Sequence, residues 1–496
     1  MKAERGSNRH LPAILVIFGG TGDLASRKLL PALYNLLCDG LLPENFAMVA
    51  VGRREKTLEQ YRNEVFQAIT TYSRSALTME NWRIFQQSVY YVRLDFLDFA
   101  GYAGLQNFLD HIDRQHGTAG NRVFYLGVAP EYFEPIVQGL YEHQLSGNHN
   151  GWKRLVIEKP FGRDLQSAAR LNKKLSAAFN EQNIYRIDHY LGKEMIQNIM
   201  VLRFCNSVFE AVWSNKYIDN IQILLSEQAG IGSRGGYYET AGAMRDMVQN
   251  HILQTLSLVA MDPPVSLESD AIRGEKLKVI QALEVFTPEM IARNIVFGQY
   301  AGGVMANRPV KAYREEVKVA ENSETETFVA MKLHIQNFRW AGTPFYIRTG
   351  KRLGGNEAKI VIQFKPLPSV LYLRNQPVQQ PNALTIKIQP EVGVCFQFST
   401  KNFASKEEIV PAKMDTGNNC GANGNTPEAY ERLIVDILRG DTTLFSRWDE
   451  VEAAWAFVDR LIEGRNQQNL FSYSAGSMGP EQATELIRRD GRKWWD

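Results

Sequence analysis

The hydrophobic period of this chain changes near residue 190, and that change constrains the fold more than any other single feature. Before it, short apolar runs at Ala13–Phe18, Ala47–Val51, Val89–Leu94, Val123–Gly127 and Leu155–Ile157 alternate with longer amphipathic stretches such as Leu24–Cys38. Runs that are apolar on both faces and spaced by helices predict a parallel α/β sheet. After it, Val329, Met331, Leu333 and Ile335 alternate with Ala330, Lys332, His334 and Gln336. The same two-residue rhythm recurs at Ile360/Ile362/Phe364, Leu384/Ile386/Ile388 and Val394/Phe396/Phe398. Such alternation predicts strands with one wet face, hence a large antiparallel sheet. Helices at about 193–206, 240–260 and 427–463 are expected over its other face. The expected fold is therefore α/β plus α+β, with residues 1–190 as one domain and 191–496 as a larger domain with a mainly antiparallel sheet. Gly417–Thr426 reads as a loop too short to be a linker, and there is no internal repeat.

Composition removes several function classes. The 56 basic and 54 acidic side chains leave a net charge of +2, which argues against a nucleic-acid partner, whose footprint is a basic excess. A local basic pocket is still compatible with that balance. Cys38, Cys205, Cys395 and Cys420 lie far apart with no Cys-x-x-Cys pair, so neither a zinc site nor a disulfide framework is expected. Reduced thiols in a cytoplasmic protein fit better. No apolar run reaches the roughly 18 residues of a membrane span. Lys2, Arg5 and Arg9 before Leu11–Phe18 imitate a signal peptide, but the run ends in glycines without a small-x-small cleavage site. It reads as a first buried strand.

That strand runs directly into Gly19-Gly20-Thr21-Gly22-Asp23-Leu24-Ala25 and then a helix. Gly20-x-Gly22-x-x-Ala25 fits the dinucleotide fingerprint, in which small residues allow a tight turn and N–H groups at the helix start receive pyrophosphate charge. Residues 1–190 are thus expected to be a Rossmann-type dinucleotide-binding domain, with Gly19, Gly20, Thr21, Gly22, Asp23 and Leu24 on the cofactor. Pro31 removes a hydrogen bond from the following helix and predicts a kink. After the second strand an NAD enzyme usually places an acidic residue for the ribose hydroxyls. Here the chain reads Gly52-Arg53-Arg54, and a guanidinium at that point pairs with a 2′-phosphate, favouring NADP. The plain alternative is a solvated surface arginine.

Tyr185-Arg186-Ile187-Asp188-His189-Tyr190-Leu191-Gly192-Lys193-Glu194 gathers a carboxylate, an imidazole, a phenol and an ammonium at the expected boundary. If a helix begins there, His189 and Lys193 share one face and jointly hold an anion. A second cluster, Arg245-Asp246-Met247-Val248-Gln249-Asn250-His251, sets Asp246 and His251 in an otherwise apolar helix pattern. A histidine in that setting is either a satisfied core residue or a proton acceptor near neutral pH. No metal triplet such as His-Glu-x-x-His occurs.

Arg186–Glu194 resembles the signature of the glucose-6-phosphate dehydrogenase family, and other segments match it in order. They are Gly19–Ala25, Tyr125-Leu126, Glu158-Lys159-Pro160-Phe161-Gly162, Arg234-Gly235-Gly236-Tyr237-Tyr238, Arg245–His251, Arg348-Thr349-Gly350-Lys351-Arg352-Leu353 and Pro427–Trp455. The resemblance implies a catalytic dyad in which His251 takes the proton of the sugar C1 hydroxyl and Asp188 orients the imidazole, while hydride passes to NADP. It implies that His189, Tyr190 and Lys193 bind the substrate phosphate, that Glu227 and Asp246 bond sugar hydroxyls, and that Lys351 reaches the substrate from the second domain. Lys159 is implied between sugar and nicotinamide, Arg53 at the 2′-phosphate, Tyr125 at the cofactor and Lys28 near the reacting centre. Asp95 is a further cofactor-side candidate.

The implied activity is oxidation of glucose 6-phosphate to 6-phosphoglucono-lactone, the entry to the oxidative pentose phosphate route, by a homodimer or dimer of dimers. Two positions depart from the pattern: Asn356 stands where many relatives carry Lys or Arg, and Glu357 where animal members use a basic residue for a second, structural NADP, which argues against that second site here. The alternatives are an oxidoreductase acting on another sugar, which has no use for His189, Tyr190 and Lys193, and a nucleotide-sensing homologue without catalysis, which has no use for His251 and Asp188.

Overall fold

A computed structural model describes residues 11–147, 150–368, 381–402, 408–417, 427–465 and 470–496. Lys2, Arg5, Arg9, Cys420 and most of the Gly417–Thr426 loop lie outside the described residues. The chain forms two compact units. One is Met1–Gly192 with Leu267–Arg273 and Asn423–Val451; the other is Lys193–Ser266, Gly274–Ala422 and Glu452–Asp496.

In the first unit, strands β1 (Ala13–Phe18), β2 (Phe46–Gly52), β3 (Val89–Arg93), β4 (Arg122–Leu126), β5 (Lys153–Glu158) and β6 (Ile184–Ile187) form a parallel sheet in the order 6-5-4-1-2-3. The short strand Phe445–Ser446 adds antiparallel to β6. Every residue of β1, β2 and β4 is buried, which is why unbroken apolar runs marked them in the sequence. β6 escaped that pattern because Arg186 interrupts it. Its buried guanidinium is satisfied by Glu181 at 2.6 Å and Asn172 at 2.6 Å. The strand order reverses between β1 and β4, and such a reversal opens a crevice at the carboxyl ends of the strands where open α/β sheets take nucleotides.

The segment after β1 starts as a wide π-type winding over Ala25–Leu29, with the Leu30 N–H reaching the Ala25 carbonyl, and turns into an α-helix over Leu30–Cys38. The change of winding falls beside Pro31, which has no N–H to continue the ladder, so the expected disturbance is realised there.

The stretch 427–463 is two helices, Ala429–Arg439 and Trp448–Glu463, and the first of them does not cover the second sheet as expected. It packs in the first unit, where Leu433, Ile434, Ile437 and Leu438 join the core built on Leu15, Ile17, Leu33 and Tyr125. Buried Glu431 accepts from Asn35 Nδ2 at 2.9 Å and Arg74 Nη2 at 2.6 Å. Arg154 donates to the carbonyls of Ile437 at 2.6 Å and Leu438 at 3.0 Å, satisfying groups that end the helix. Helical periodicity records that a helix has an apolar face and leaves open which sheet receives it.

In the second unit, β7 (Ile218–Ser226), β8 (Ile295–Met305), β9 (Arg308–Val310), β10 (Phe328–Leu333), β11 (Phe345–Gly350), β12 (Ala358–Phe364), β13 (Ala383–Gln389), β14 (Gly393–Lys401) and β15 (Ile409–Asp415) join Leu470–Ala475 in a 10-stranded sheet. The order is 15-14-13-12-7-11-10-8 followed by Leu470–Ala475, with β9 beside β8. Pairing is antiparallel except for β7 with β11 and β8 with Leu470–Ala475. The one-wet-face expectation describes β13 and β14, where buried and partly exposed residues alternate. It fails for β10 and β12, where Ala330 and Lys359 on the supposed outer face are buried. That face is covered by the helix Glu481–Arg488 and Trp494, which pack with Phe328, Ala330 and Tyr346. Among the described residues, no helix is long and apolar enough to cross a membrane.

Candidate active site

The glycine turn at the end of β1 is shaped by close backbone contact. Gly19 has φ +81°, and a Cβ on it would lie 2.5 Å from the Gly127 carbonyl oxygen. Gly20 is buried, and a Cβ there would lie 2.4 Å from the Ala50 Cβ on β2. The Gly20 carbonyl accepts from the Tyr61 hydroxyl at 2.9 Å, and Gly22 N–H donates to Gly19 O at 2.8 Å. Thr21, Asp23 and Leu24 complete the turn, Asp23 being exposed and paired with Arg27 at 2.6 Å. The turn thus packs without side chains on β2 and leaves backbone N–H groups at a helix start, the arrangement a dinucleotide pyrophosphate fits. Lys28, on the first helical turns, pairs with Glu428 at 2.9 Å. Arg53 and Arg54 are exposed just past β2, with the Arg53 guanidinium over the Tyr132 ring. Asp95 accepts from the Leu97 N–H at 3.1 Å and shapes its own turn.

Two further residues, Glu158 at the end of β5 and Tyr430 on the helix Ala429–Arg439, were not singled out from the sequence. The Tyr125 hydroxyl, on a fully buried side chain of β4, donates to Glu158 at 2.5 Å, and the Tyr430 hydroxyl donates to the same oxygen at 3.2 Å. Desolvation pushes the Glu158 carboxyl above the usual range, and the same cause raises both phenols. Tyr125 therefore reaches its neighbourhood through Glu158, the residue immediately before Lys159. The only sequence signal was the position of Glu158 at a strand end ahead of Lys-Pro.

After β6 the chain makes a turn instead of starting a helix. Asp188 is buried and its carboxylate accepts from the Tyr190 N–H at 2.9 Å, while the Leu191 N–H returns to the Asp188 carbonyl at 3.0 Å. The rings of His189 and Tyr190 lie 5.2 Å apart. The helix begins only at Glu194, so the shared-face reasoning for His189 and Lys193 does not hold: the Asp188 carboxylate ties the backbone into a turn first.

The second unit gathers its own group. Glu227 and Lys351 directly follow β7 and β11, which pair in parallel with Ser226 opposite Gly350, so both side chains emerge at one end of the sheet. Lys351 Nζ contacts the Glu227 carboxylate and lies 3.6 Å from Asp246 Oδ2 and 5.6 Å from the centre of the Tyr238 ring. The backbone of Lys351 is fixed by its N–H to Thr327 at 2.9 Å and by the Tyr473 hydroxyl on its carbonyl at 2.7 Å. Asp246 and His251 are both buried on a π-wound segment, Met244–Ile252. In an α-helix residues five apart diverge by about 140°, whereas the wider π turn brings that spacing back toward one face. The segment is anchored at its start by Glu326, which accepts from the Met244 N–H at 3.1 Å, and Gly242 at φ +61° has no room for a Cβ beside that carboxylate. Lys193 Nζ donates to the side-chain carbonyl of Gln389, a residue the sequence reading missed because it closes an ordinary strand pattern. Asn356 is exposed, and Glu357 pairs with Lys359 at 3.0 Å.

Comparison with known proteins places the chain in one family. Residues 16–198 match the family described as Glucose-6-phosphate dehydrogenase, NAD binding domain, and residues 200–495 match Glucose-6-phosphate dehydrogenase, C-terminal domain. The chain is 46% identical over 492 residues to the Glucose-6-phosphate 1-dehydrogenase of Bacillus subtilis, covering 99% of each chain. It is 45% identical to that of Chlamydia pneumoniae, covering 97% of this chain and 96% of the relative. A solved structure described as glucose-6-phosphate dehydrogenase in complex with its substrate glucose-6-phosphate superposes with a TM-score of 0.89 at 31% identity, covering 98% of each chain. A dehydrogenase with a nucleotide-binding first unit uses a nicotinamide coenzyme, and the glycine cradle fits one. With both halves of the family matched end to end, the chain belongs to the glucose-6-phosphate dehydrogenase family.

Proposed function

We propose that this enzyme oxidises glucose 6-phosphate at C1 to 6-phosphoglucono-1,5-lactone with NADP, opening the oxidative pentose phosphate route. The observation that carries the reading is the placement of Lys351 between Glu227 and Asp246 at the carboxyl ends of two parallel strands, with His251 buried on the segment that holds Asp246. Carboxylates around one ammonium offer a sugar's hydroxyls both acceptors and a donor, and a histidine beside them supplies a base active near neutral pH. The nicotinamide coenzyme, when bound, supplies the acceptor for the C1 hydride. His251 takes the C1 hydroxyl proton as the C–H bond breaks and the lactone carbonyl forms, and the Asp188 carboxylate stabilises the resulting imidazolium. His189, Tyr190 and Lys193 bind the substrate phosphate, and Lys159 lies between sugar and nicotinamide.

On the coenzyme side, Gly19 to Leu24 receive the pyrophosphate. Arg53 pairs with the 2′-phosphate, Tyr125 borders the site through Glu158, and Lys28 stands near the reacting centre. Free Cys38, Cys205 and Cys395 suit a reducing cytoplasm. The enzyme assembles as a homodimer or dimer of dimers through the second sheet, where β15, the edge strand among the described residues, exposes Met414.

His251→Asn tests the reading. Turnover should fall roughly 10²-fold or more for loss of a general base, with KM for glucose 6-phosphate little changed. Turnover near that of the unmodified enzyme would remove His251 from the mechanism.

A further inference from the structure

The turn that carries Arg53 is held from two sides. Tyr91 pins its backbone: the Tyr91 hydroxyl donates to the carbonyls of Gly52 and Arg54, and its ring stacks on Tyr61 at 5.1 Å. Tyr132 meets its side chain from the short turn Pro130–Tyr132 that follows β4. The Arg53 guanidinium carbon lies 5.5 Å from the centre of the Tyr132 ring, and Nη1 donates to the phenol oxygen at 3.4 Å. Tyr132 is braced in turn by the edge of Phe96 at 5.6 Å, and buried Phe96 packs on Phe18, the last residue of β1, at 5.9 Å. A line of rings therefore runs from the strand that feeds the glycine turn to the arginine beside it.

The chemistry of this support matters. A ring face attracts a cation without neutralising it, so the guanidinium keeps its charge and its N–H edge for an incoming anion. A carboxylate in the same place would compete with a phosphate. The nearest acid on the turn, Glu55, is engaged by Arg93 at 3.2 Å instead. An exposed arginine otherwise loses rotamer freedom when it closes on a ligand, and holding it beforehand removes part of that loss.

We propose that Tyr132 is a positioning residue for coenzyme choice, holding Arg53 where the 2′-phosphate of NADP arrives. This rests on the reading of Arg53 as the 2′-phosphate ligand. The test is the ratio of kcat/KM with NADP to kcat/KM with NAD, measured on the full chain for Arg53→Ala, Tyr132→Phe, Tyr132→Ala and the Arg53→Ala/Tyr132→Ala pair. Tyr132→Ala should lower the ratio roughly two- to fivefold, the range an exposed cation–π contact supplies. Tyr132→Phe keeps the ring on Phe96 and should lower it less. In the Arg53→Ala background, Tyr132→Ala should leave the ratio where Arg53→Ala set it. Equal losses with both coenzymes in Tyr132→Ala, or full additivity in the pair, would overturn the inference while Arg53 kept its role. A ratio unmoved by Arg53→Ala would overturn the reading of Arg53, and this inference with it.

Discussion

Replacing Gly20 by alanine adds one carbon to the tightest point of the coenzyme turn. That carbon would stand 2.4 Å from Ala50 Cβ, 3.0 Å from Ala50 Cα and 3.2 Å from the Ile17 carbonyl oxygen. Ordinary carbon–carbon contacts begin at about 3.5 Å, so the turn must rise from β2 by roughly 1 Å. The backbone of Gly20 is not in the left-handed region, so the strain is steric and comes from β2. Overpacking of this size costs about 1–3 kcal/mol. Lifting the turn also shifts the N–H groups proposed to receive a coenzyme pyrophosphate and loosens the bond from the Tyr61 hydroxyl to the Gly20 carbonyl. Gly20→Ala should therefore lose about 1–3 kcal/mol in urea unfolding and at least about tenfold in NADP affinity by calorimetric titration, since misplacement by about 1 Å weakens positioned contacts strongly.

The discriminating step is the second substitution. Ala50→Gly removes the 2.4 Å contact and leaves the milder approaches of 3.0 Å to the Cα at position 50 and 3.2 Å to the Ile17 carbonyl oxygen, so the double variant should recover most of the loss, with a favourable coupling of about 1–2 kcal/mol. Simple additivity of the two substitutions, or unaltered NADP affinity in Gly20→Ala, would refute the packing argument.

Asp436 titrates at about 7 because burial and the nearby Asp441 charge oppose its ionisation. Its folded pKa lies above its unfolded value, so its stabilising contribution is complete below about pH 4 and is lost as pH rises through 7. Asp436→Asn removes that loss, so the variant should gain on the unmodified protein between pH 5 and pH 8 in urea titrations; an equal difference at both would contradict the shift. Arg154→Met gives up the bonds to the Ile437 and Leu438 carbonyls and the stacking on Trp152 at 3.6 Å. It should cost about 2–3 kcal/mol in chemical unfolding, and a loss below about 0.5 kcal/mol, the level of an indifferent surface site, would count against the cap. Lys351→Met leaves Glu227 and Asp246 without their shared ammonium. KM for glucose 6-phosphate should rise roughly tenfold or more, as loss of a charge-assisted hydrogen bond requires, and steady-state kinetics showing an unchanged KM would exclude contact with the sugar.

Local signals in the sequence were enough for the parts that depend on neighbouring residues. Unbroken apolar runs marked β1, β2, β4 and β5 because those strands are buried on both faces, and the glycines marked the turn because only residues without a Cβ fit against Ala50 and Gly127. The alternating pattern marked β13 and β14 for the same local reason, one face packed and one partly wet. What depends on partners distant in the chain was not legible. Ala330 follows the alternation of an outward residue and is buried because Leu486, Ile487 and Trp494 return to cover it. The helix Ala429–Arg439 has an apolar face in either setting, and the bonds from Asn35 and Arg154 place it in the first unit.

The site divides in the same way. Asp188, His189, Lys193, Asp246 and His251 stood out as chemistry-bearing residues in short clusters, but the turn at Asp188, the π winding between Asp246 and His251, and the meeting of Glu227, Asp246 and Lys351 came from tertiary contacts. The same holds for Gln389 on Lys193 and Tyr132 under Arg53. The sequence alone determined the residue types, their spacing and the periods of burial, because those follow from bonds along the chain. Which side chains face one another was decided only by the folded structure, because strand order and the return of distant helices bring together groups that no local spacing records.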